Sequence, residues 1–279
     1  MQHVSGIDHC VLLVRDLDAA ERAMARLGFR PTPRGYHSAH MGTANATVVF
    51  RDGTYFETLG VVAETAYNEA TRAELAQREG LYGIALKTDD ARGAAAEFAA
   101  AGLGPPEAVD FVRPVELPGG PQDAAFTVAR TQASAFPAAW IFACQQHTPA
   151  VVWREDYLDQ PNGVVGLAEV VGVADDLAAI ARAYGPLFGG RAIEEADRVA
   201  IATGTAALSF LTPAALVERY GVTPTGTPPF LAALRFTVAD LAAAERLLRD
   251  RGVAVRRSPA GTLLIPPEEA CGALLEFAA

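Results

Sequence analysis

The sequence predicts an α+β protein built from four copies of a strand–helix–strand–strand–strand (βαβββ) unit. The opening phrase GIDHCVLLVRDL, residues 6–17, recurs in weakened form from Gly80, Gly166 and Phe230. Each copy is an apolar run, then an aspartate, and then a helical pattern closed by a glycine. A phrase that recurs in this order indicates one structural unit used four times.

The first copy carries the local signals most clearly. Residues 7–14 form a short apolar run without a breaker, which predicts a buried strand. Asp16 or Asp18 can then cap a helix, because a short carboxylate accepts the free N–H groups of the first turn. Gly28 can end that helix, where a positive φ is needed. Three further strands are predicted, at residues 29–32, 47–50 and 55–62.

The other copies follow the same order. In the second copy we predict a strand at 84–88, a helix at 90–101, and strands near 126–130 and 139–144. In the third we predict a strand at 169–173, a helix at 176–184, and strands at 198–203 and 206–211. In the fourth we predict a strand at 234–237, a helix at 240–250, and strands at 253–256, 262–265 and 273–277. A short helix is also predicted at 213–220, between the third and fourth copies.

The length of 279 residues exceeds the usual size of a single domain. We therefore predict one domain at 1–147, made of copies one and two, and a second at 166–279, made of copies three and four. Residues 148–165 contain Pro149, Pro161 and Gly163 and are predicted to link them.

Composition restricts the partners. The formal net charge is −10 and no Lys/Arg cluster is present, which argues against nucleic acid and anionic membranes. The three cysteines lie far apart without a CxxC pair, which favours a reduced, cytoplasmic setting. The N-terminus lacks an apolar stretch of the signal-peptide type, and no segment is typical of a membrane helix.

A four-fold βαβββ repeat that opens with G-x-D-H-x-x-x-x-V-x-D-L resembles the vicinal oxygen chelate superfamily, which includes glyoxalase I, extradiol dioxygenases and bleomycin-resistance proteins. More narrowly, the chain looks like the glyoxalase-like domain proteins. The stretches that carry this likeness are the opening phrase, HMGTAN at 40–45, YFE at 55–57, QQHTP at 145–149, and PNG at 161–163. The architecture matches over the whole chain, and these motifs match over about the first 165 residues.

The resemblance implies that two units enclose a cleft with a divalent metal held by the first and last strands of a unit. His9 and Glu57 occupy those positions, and imidazole and carboxylate both bind Zn, Fe, Mn or Ni. A third ligand would come from His147, Gln145 or His40. Glu57 and His147 are the expected catalytic residues, acting on a small-molecule substrate that the metal chelates.

Substrate contacts are expected from Arg34, His40, Asn45 and Trp140. For each, an ordinary structural or surface role is the alternative: Arg34 is by default a solvent-exposed arginine, and His147 an exposed loop residue after a strand. His37 and His40 lie three apart in a loop, a spacing that is common by chance.

The aligned positions locate the expected chemistry. The second, third and fourth copies carry Gly83, Glu169 and Ala233 where the first carries His9. A site is therefore expected in the N-terminal half. The C-terminal half is expected to have a structural role or to form a homodimer interface. Extradiol dioxygenases generally hold iron in the C-terminal half with two histidines, so that reading is disfavoured.

Three functions remain open from the sequence. The first is a metal-dependent enzyme of lyase, isomerase or dioxygenase type. The second is a metal-free small-molecule binding or antibiotic-resistance protein, which the missing ligands in the second copy motivate. The third is a scaffold or interaction module, since a fold alone does not fix a function.

Overall fold

The computed structural model describes residues 1–115, 117, 119–190, 192–224 and 226–279. The first module contains β1 (Gly6–Leu13), α1 (Leu17–Arg26), β2 (Gly35–Tyr36), β3 (Thr43–Val49) and β4 (Tyr55–Val61). Helix α2 (Glu69–Gln77) leads to the second, with β5 (Gly80–Thr88), α3 (Ala91–Ala100), β6 (Ala108–Val115), β7 (Gln122–Arg130) and β8 (Trp140–Gln146).

Two short helices, α4 (Pro149–Val152) and α5 (Glu155–Leu158), follow in the segment predicted to be a linker. The third module contains β9 (Val164–Val173), α6 (Leu177–Tyr184), β10 (Ala192–Glu194), β11 (Arg198–Ile201) and β12 (Ala207–Leu211). Helix α7 (Pro213–Tyr220) leads to the fourth, with β13 (Phe230–Val238), α8 (Leu241–Asp250), β14 (Arg256–Arg257), β15 (Leu263–Ile265) and β16 (Leu274–Ala278).

The repeated aspartate has the same role in every module. Its carboxylate accepts the backbone N–H three residues on and caps the main helix, at distances of 2.8–2.9 Å, in Asp16, Asp90, Asp176 and Asp240. The choice between Asp16 and Asp18 is thus settled for Asp16. Gly28 follows its helix with φ +81°, a conformation that side chains disfavour.

The modules pair into two eight-stranded sheets. One has the order β2-β3-β4-β1-β5-β8-β7-β6, and the other has the order β10-β11-β12-β9-β13-β16-β15-β14. Modules join at their first strands, which run antiparallel: β1 with β5, and β9 with β13. The predicted α+β class of four repeated modules in two halves is confirmed.

The main differences from the predicted strands concern the edges of the sheets, and helix α2 was not predicted. Residues 29–32 are not a strand: Phe29 is buried in the core, and the edge strand is Gly35–Tyr36 instead. Strands β6 and β10 were not predicted, because they lack an apolar run. Their side chains are mostly exposed or half-buried, as expected where a strand has a neighbour on only one side.

One continuous core joins the two halves. It contains one face of each sheet, together with the helices that pack on that face. Phe29 from the first half lies edge-on to Phe236 and Phe277 from the second, with ring centroids 5.5 and 5.9 Å apart. The hydroxyl of buried Tyr184 also donates to the Pro137 carbonyl across this boundary.

No helix in the described part of the chain is both long and apolar enough to cross a membrane.

Candidate functional site

A cavity of about 510 Å³ lies on the concave side of the first sheet. Alternate residues of β3, β4, β7 and β8 line it, as the two-residue period of a strand predicts, and His9 enters from β1. The edge strands β2 and β6 approach each other, so the curved sheet nearly surrounds the space. This volume falls within the range of small-molecule sites, about 300–1,000 Å³.

His9 lines this cavity and is held by the residue before it. The β1–β5 register passes from Ile7 to His9, which leaves Asp8 as an extra residue in a β-bulge. Asp8 is fully buried, and its Oδ1 accepts from His9 Nδ1 at 2.7 Å. It also accepts from Gln146 Nε2 at 3.0 Å. A carboxylate accepts, so the Nδ1 hydrogen points to Asp8 and Nε2 is left to act as base or ligand.

Glu57 enters the cavity from β4, two residues beyond Tyr55 in the strand. It is buried, and its Oε2 accepts from Asn45 Nδ2. The Oδ1 atom of Asn45 has no hydrogen-bond partner among the described residues. The cavity therefore presents a carboxylate and an unpaired amide oxygen side by side, a polar end that suits a ligand with hydrogen-bond donors such as hydroxyl groups.

Aromatic rings form much of the remaining wall. Trp140 stacks on Phe142 with centroids 4.3 Å apart, and Phe111 stacks on Phe126 at 4.9 Å. The His9 ring lies on Tyr55 at 4.2 Å, nearly parallel to it. A polar end and flat apolar walls together suit an organic molecule with an apolar body.

Several ionisable groups here are neutral at pH 7. Burial lowers the pKa of His37 to about 4; Glu57 opposes this shift and Arg113 adds to it. Burial also raises the pKa of Tyr55 and of Cys144, and the negative charge of Asp8 adds to both. Neither a phenolate nor a thiolate is therefore available as a nucleophile.

Arg113 is the buried cation of the site. It enters from β6, is 5% exposed, and forms no hydrogen bond or ion pair with the residues the structure describes. A buried arginine is nearly always paired. Its position was not predicted, because β6 has no sequence signal beyond a few exposed-looking residues.

The structure brings five of the seven predicted site residues to the cavity: His9, His40, Asn45, Glu57 and Trp140. Arg34 and His147 do not line it. Arg34 pairs instead with Asp18 and Glu21 on α1, which leaves its guanidinium occupied.

His147 is exposed, and its Nε2 lies 2.7 Å from Thr127 Oγ1, which in turn donates to Asp110. Gln145, another third-ligand candidate, lies near the end of β8, and its side chain hydrogen-bonds to the backbone at the start of α3. Both side chains are thus engaged outside the cavity lining.

The donor set fits a divalent metal poorly. His9 and Glu57 come from the first module, but the register places Gly83 and Phe142 at the matching positions of the second. Among the described residues, no three His, Cys, Asp or Glu side chains are grouped so as to hold a metal. Catalytic zinc sites commonly use three protein ligands.

Asp8 and Arg113 were missed as site residues, and His37 was considered only for its spacing from His40. A signal existed for Asp8 alone, since it precedes His9 in the repeated phrase. Its role depends on the bulge, which sequence periodicity does not reveal.

The matching face of the second sheet contains no comparable cavity among the described residues, because α7 fills it. Leu216 and Tyr220 of α7 pack on this face, and Arg219 reaches the two carboxylates there. Its Nη2 lies 2.7 Å from Glu169 Oε2 and 2.9 Å from Glu276 Oε2. Glu169 and Glu276, the two buried carboxylates on this face, thus share Arg219 as an ion-pair partner.

Comparisons with known proteins agree with this fold. A hypothetical protein from Staphylococcus aureus is similar over 98% of both chains, with 12% identity and a TM-score of 0.69. A mutant 4-hydroxymandelate synthase from Streptomyces coelicolor is similar over 99% of this chain and 92% of its own, with 16% identity and a TM-score of 0.57.

A Mn(II)-bound glyoxalase from Novosphingobium aromaticivorans is similar over 99% of this chain and 82% of its own, with 13% identity and a TM-score of 0.57. At these identities the likeness shows a shared fold. No curated protein sequence matches. The family described as "Glyoxalase-like domain" matches residues 7–188, well over half of the chain. The chain therefore belongs to the glyoxalase-like domain family, within the vicinal oxygen chelate superfamily.

Proposed function

We propose that this protein is an enzyme that acts on a small oxygenated organic molecule in the N-terminal cavity, with His9 as its acid–base group. The observation that carries the proposal is the buried Asp8–His9 pair on the cavity wall. A histidine whose other nitrogen is fixed by a carboxylate is the usual arrangement of a general base. Glu57 lies on the neighbouring strand as a second group able to exchange protons.

This arrangement supports proton transfer, as in a lyase or isomerase, better than dioxygenation. A non-haem iron dioxygenase needs two histidines and a carboxylate on one face of the metal. Among the described residues, His9 and Glu57 have no third donor grouped with them.

A divalent metal is the second ingredient to test. Metal-bound histidines usually donate their other ring N–H to a carboxylate, and Asp8 provides that contact for His9. One structural neighbour is described as Mn(II)-bound. A metal here would have His9 and Glu57 as its protein donors. We propose no step that passes through it.

The test is solvent exchange at carbon. We expect the protein to catalyse exchange of the α-hydrogen in a member of a panel of α-keto and α-hydroxy compounds in D₂O, followed by ¹H NMR with and without Mn²⁺, Zn²⁺, Ni²⁺ or Fe²⁺. Substituting His9→Gln should lower the rate by about 10²–10⁴, the usual contribution of a general base.

His3→Gln is the matched control, because His3 also pairs with an aspartate, Asp90, but lies outside the cavity lining. Equal losses in His9→Gln and His3→Gln would refute a catalytic role for His9. Metal content of protein purified without chelator, compared between wild type and Glu57→Gln, decides the metal question separately.

The second candidate function is metal-free binding of an aromatic molecule, as in a resistance protein. The stacked Trp140–Phe142 pair on the wall favours it. Tight binding of an aromatic compound without turnover, unchanged by His9→Gln and weakened by Trp140→Ala, would select this function over catalysis.

A further inference from the structure

The strongest unexplained feature of the cavity is the guanidinium of Arg113. Arg113 is only 5% exposed, and it lines the cavity. Its Nη1 atom has no hydrogen-bond partner among the described residues. An unpaired charge away from water costs several kcal/mol unless a counter-ion meets it. The described protein supplies none within ion-pair distance.

No described carboxylate forms an ion pair with this cation, although Glu57 lies close enough for its charge to act on it. Burial lowers the pKa of Arg113, while the negative charge of Glu57 opposes that shift. An arginine nevertheless stays protonated in proteins. Glu57 already accepts from Asn45, and Asp110 at the rim pairs with Arg92. No other carboxylate lines the described part of the cavity.

The backbone makes room for this side chain. A Cβ placed on Gly35 of β2 would lie 1.8 Å from Arg113 Nη1, so a glycine there allows the guanidinium to cross from β6 toward the opposite edge strand. The two edge strands of the sheet meet at this point. The approach of β2 to β6 therefore determines where the guanidinium lies.

We infer that Arg113 receives the carboxylate of the ligand, so the substrate class is an organic acid with a flat apolar body. This rests on the proposed small-molecule function of the same cavity. A guanidinium binds a carboxylate through two parallel hydrogen bonds. The aromatic walls formed by Trp140, Phe142 and Phe126 cover the apolar body. Glu57 beside the cation disfavours a second negative charge, so a carboxylate is favoured over a phosphate.

The experiment compares matched probes by calorimetry. Phenylacetate and 3-phenyllactate are the acids, phenylacetamide is the uncharged analogue of the first, and phenyl phosphate is the alternative anion. We expect wild type to bind at least one acid ten-fold or more tightly than the amide and the phosphate. Arg113→Met should remove this preference while changing amide affinity less than two-fold.

Arg113→Lys tests geometry, because lysine keeps the charge but not the two-pronged donor. We expect it to recover only part of the preference. Arg22→Met, an exposed arginine on α1, is the control and should bind like wild type. Because Arg113→Met also changes a buried side chain, Gly35→Ala provides a second variant that displaces the guanidinium without deleting it, and it too should weaken acid binding.

The outcomes separate the two proposals. Equal affinity of wild type for acids and amide, or a preference that survives both Arg113→Met and Gly35→Ala, overturns the assignment of Arg113 but leaves the cavity as a small-molecule site. Tighter binding of phenyl phosphate than of the acids overturns the proposal that the ligand group bound by Arg113 is a carboxylate. Binding of none of the four probes at millimolar concentration overturns the substrate class, whereas the exchange test on His9 decides the proposed function independently.

Discussion

Removing Arg219 should destabilise the C-terminal half without touching the candidate site. The Arg219→Ala variant leaves Glu169 and Glu276, which are 5% and 4% exposed, without their shared partner. Deleting one partner of a buried ion pair costs about 3–5 kcal/mol. Here the cost is lower, because the Arg219 side chain is 25% exposed and Glu169 keeps Arg198 at 3.3 Å. We expect a loss of about 2–3 kcal/mol in the free energy of unfolding.

Urea unfolding and differential scanning calorimetry measure this loss. For a chain of this size, about 2–4 °C in Tm corresponds to each kcal/mol, so Tm should fall by roughly 5–10 °C. The control is Arg246→Ala, which removes an exposed arginine from α8 and should change Tm by less than about 2 °C. Adding Glu169→Gln and Glu276→Gln to Arg219→Ala should restore part of the stability, since neither of these two buried side chains then carries an uncompensated negative charge.

The stability that Arg219 contributes should depend on pH, and the pKa of Glu169 gives the direction of that dependence. Burial raises the pKa of Glu169, but the hydrogen bond and charge of Arg219 outweigh it, and the pKa lies below its usual value of 4.5. A carboxyl with a lowered pKa stabilises the fold above pH 4.5 and loses that contribution as the pH falls through its native value. The gap between wild type and Arg219→Ala should therefore narrow below pH 4.5. Equal stability at pH 7, or a gap that does not narrow in acid, would refute the role of Arg219.

Three further outcomes are expected. Tyr184→Phe removes the hydroxyl that joins the halves and leaves the half-buried Pro137 carbonyl without this donor, which should cost about 1 kcal/mol in the free energy of unfolding. Tyr36→Phe, at an exposed site, should cost nothing measurable by urea unfolding. Burial raises the pKa values of the Cys10 and Cys144 thiols, so both should react with a thiol reagent far more slowly than in unfolded protein. Rapid labelling of either thiol at pH 7.5 would contradict their burial. Gly172→Ala should destabilise the protein by about 1–3 kcal/mol, because the added methyl group meets a buried aromatic ring at 2.3 Å, and an unchanged Tm would contradict that packing.

Much of the fold could be predicted because its signals are local. The capping aspartates act within four residues of the chain, and the apolar runs of β1, β4 and β9 are buried on both faces. The α7 bounds also match the predicted 213–220, since Thr212 caps the helix and a proline begins it. Edge strands β6 and β10 escaped prediction because little of their surface is buried.

The candidate site was less predictable. His9 and Glu57 could be located because both lie on central strands with recognisable motifs, and the register confirms that Gly83, Glu169 and Ala233 occupy the positions matching His9. Arg113 could not be located, because its burial arises from contact between the two edge strands of one sheet.

The sequence by itself determined the four modules, their pairing into two halves and the strand that carries His9, because apolar periodicity, capping and repetition are properties of neighbouring residues. Only the tertiary structure decided what each module became. A bulge places Asp8 beside His9, and the approach of β2 to β6 buries Arg113. His147 and Arg34 form contacts outside the cavity. In the second half, Arg219 lies between two carboxylates. The physical reason is that burial and charge pairing depend on residues far apart in the sequence meeting in space, as Asp8 and Gln146 do across 138 positions.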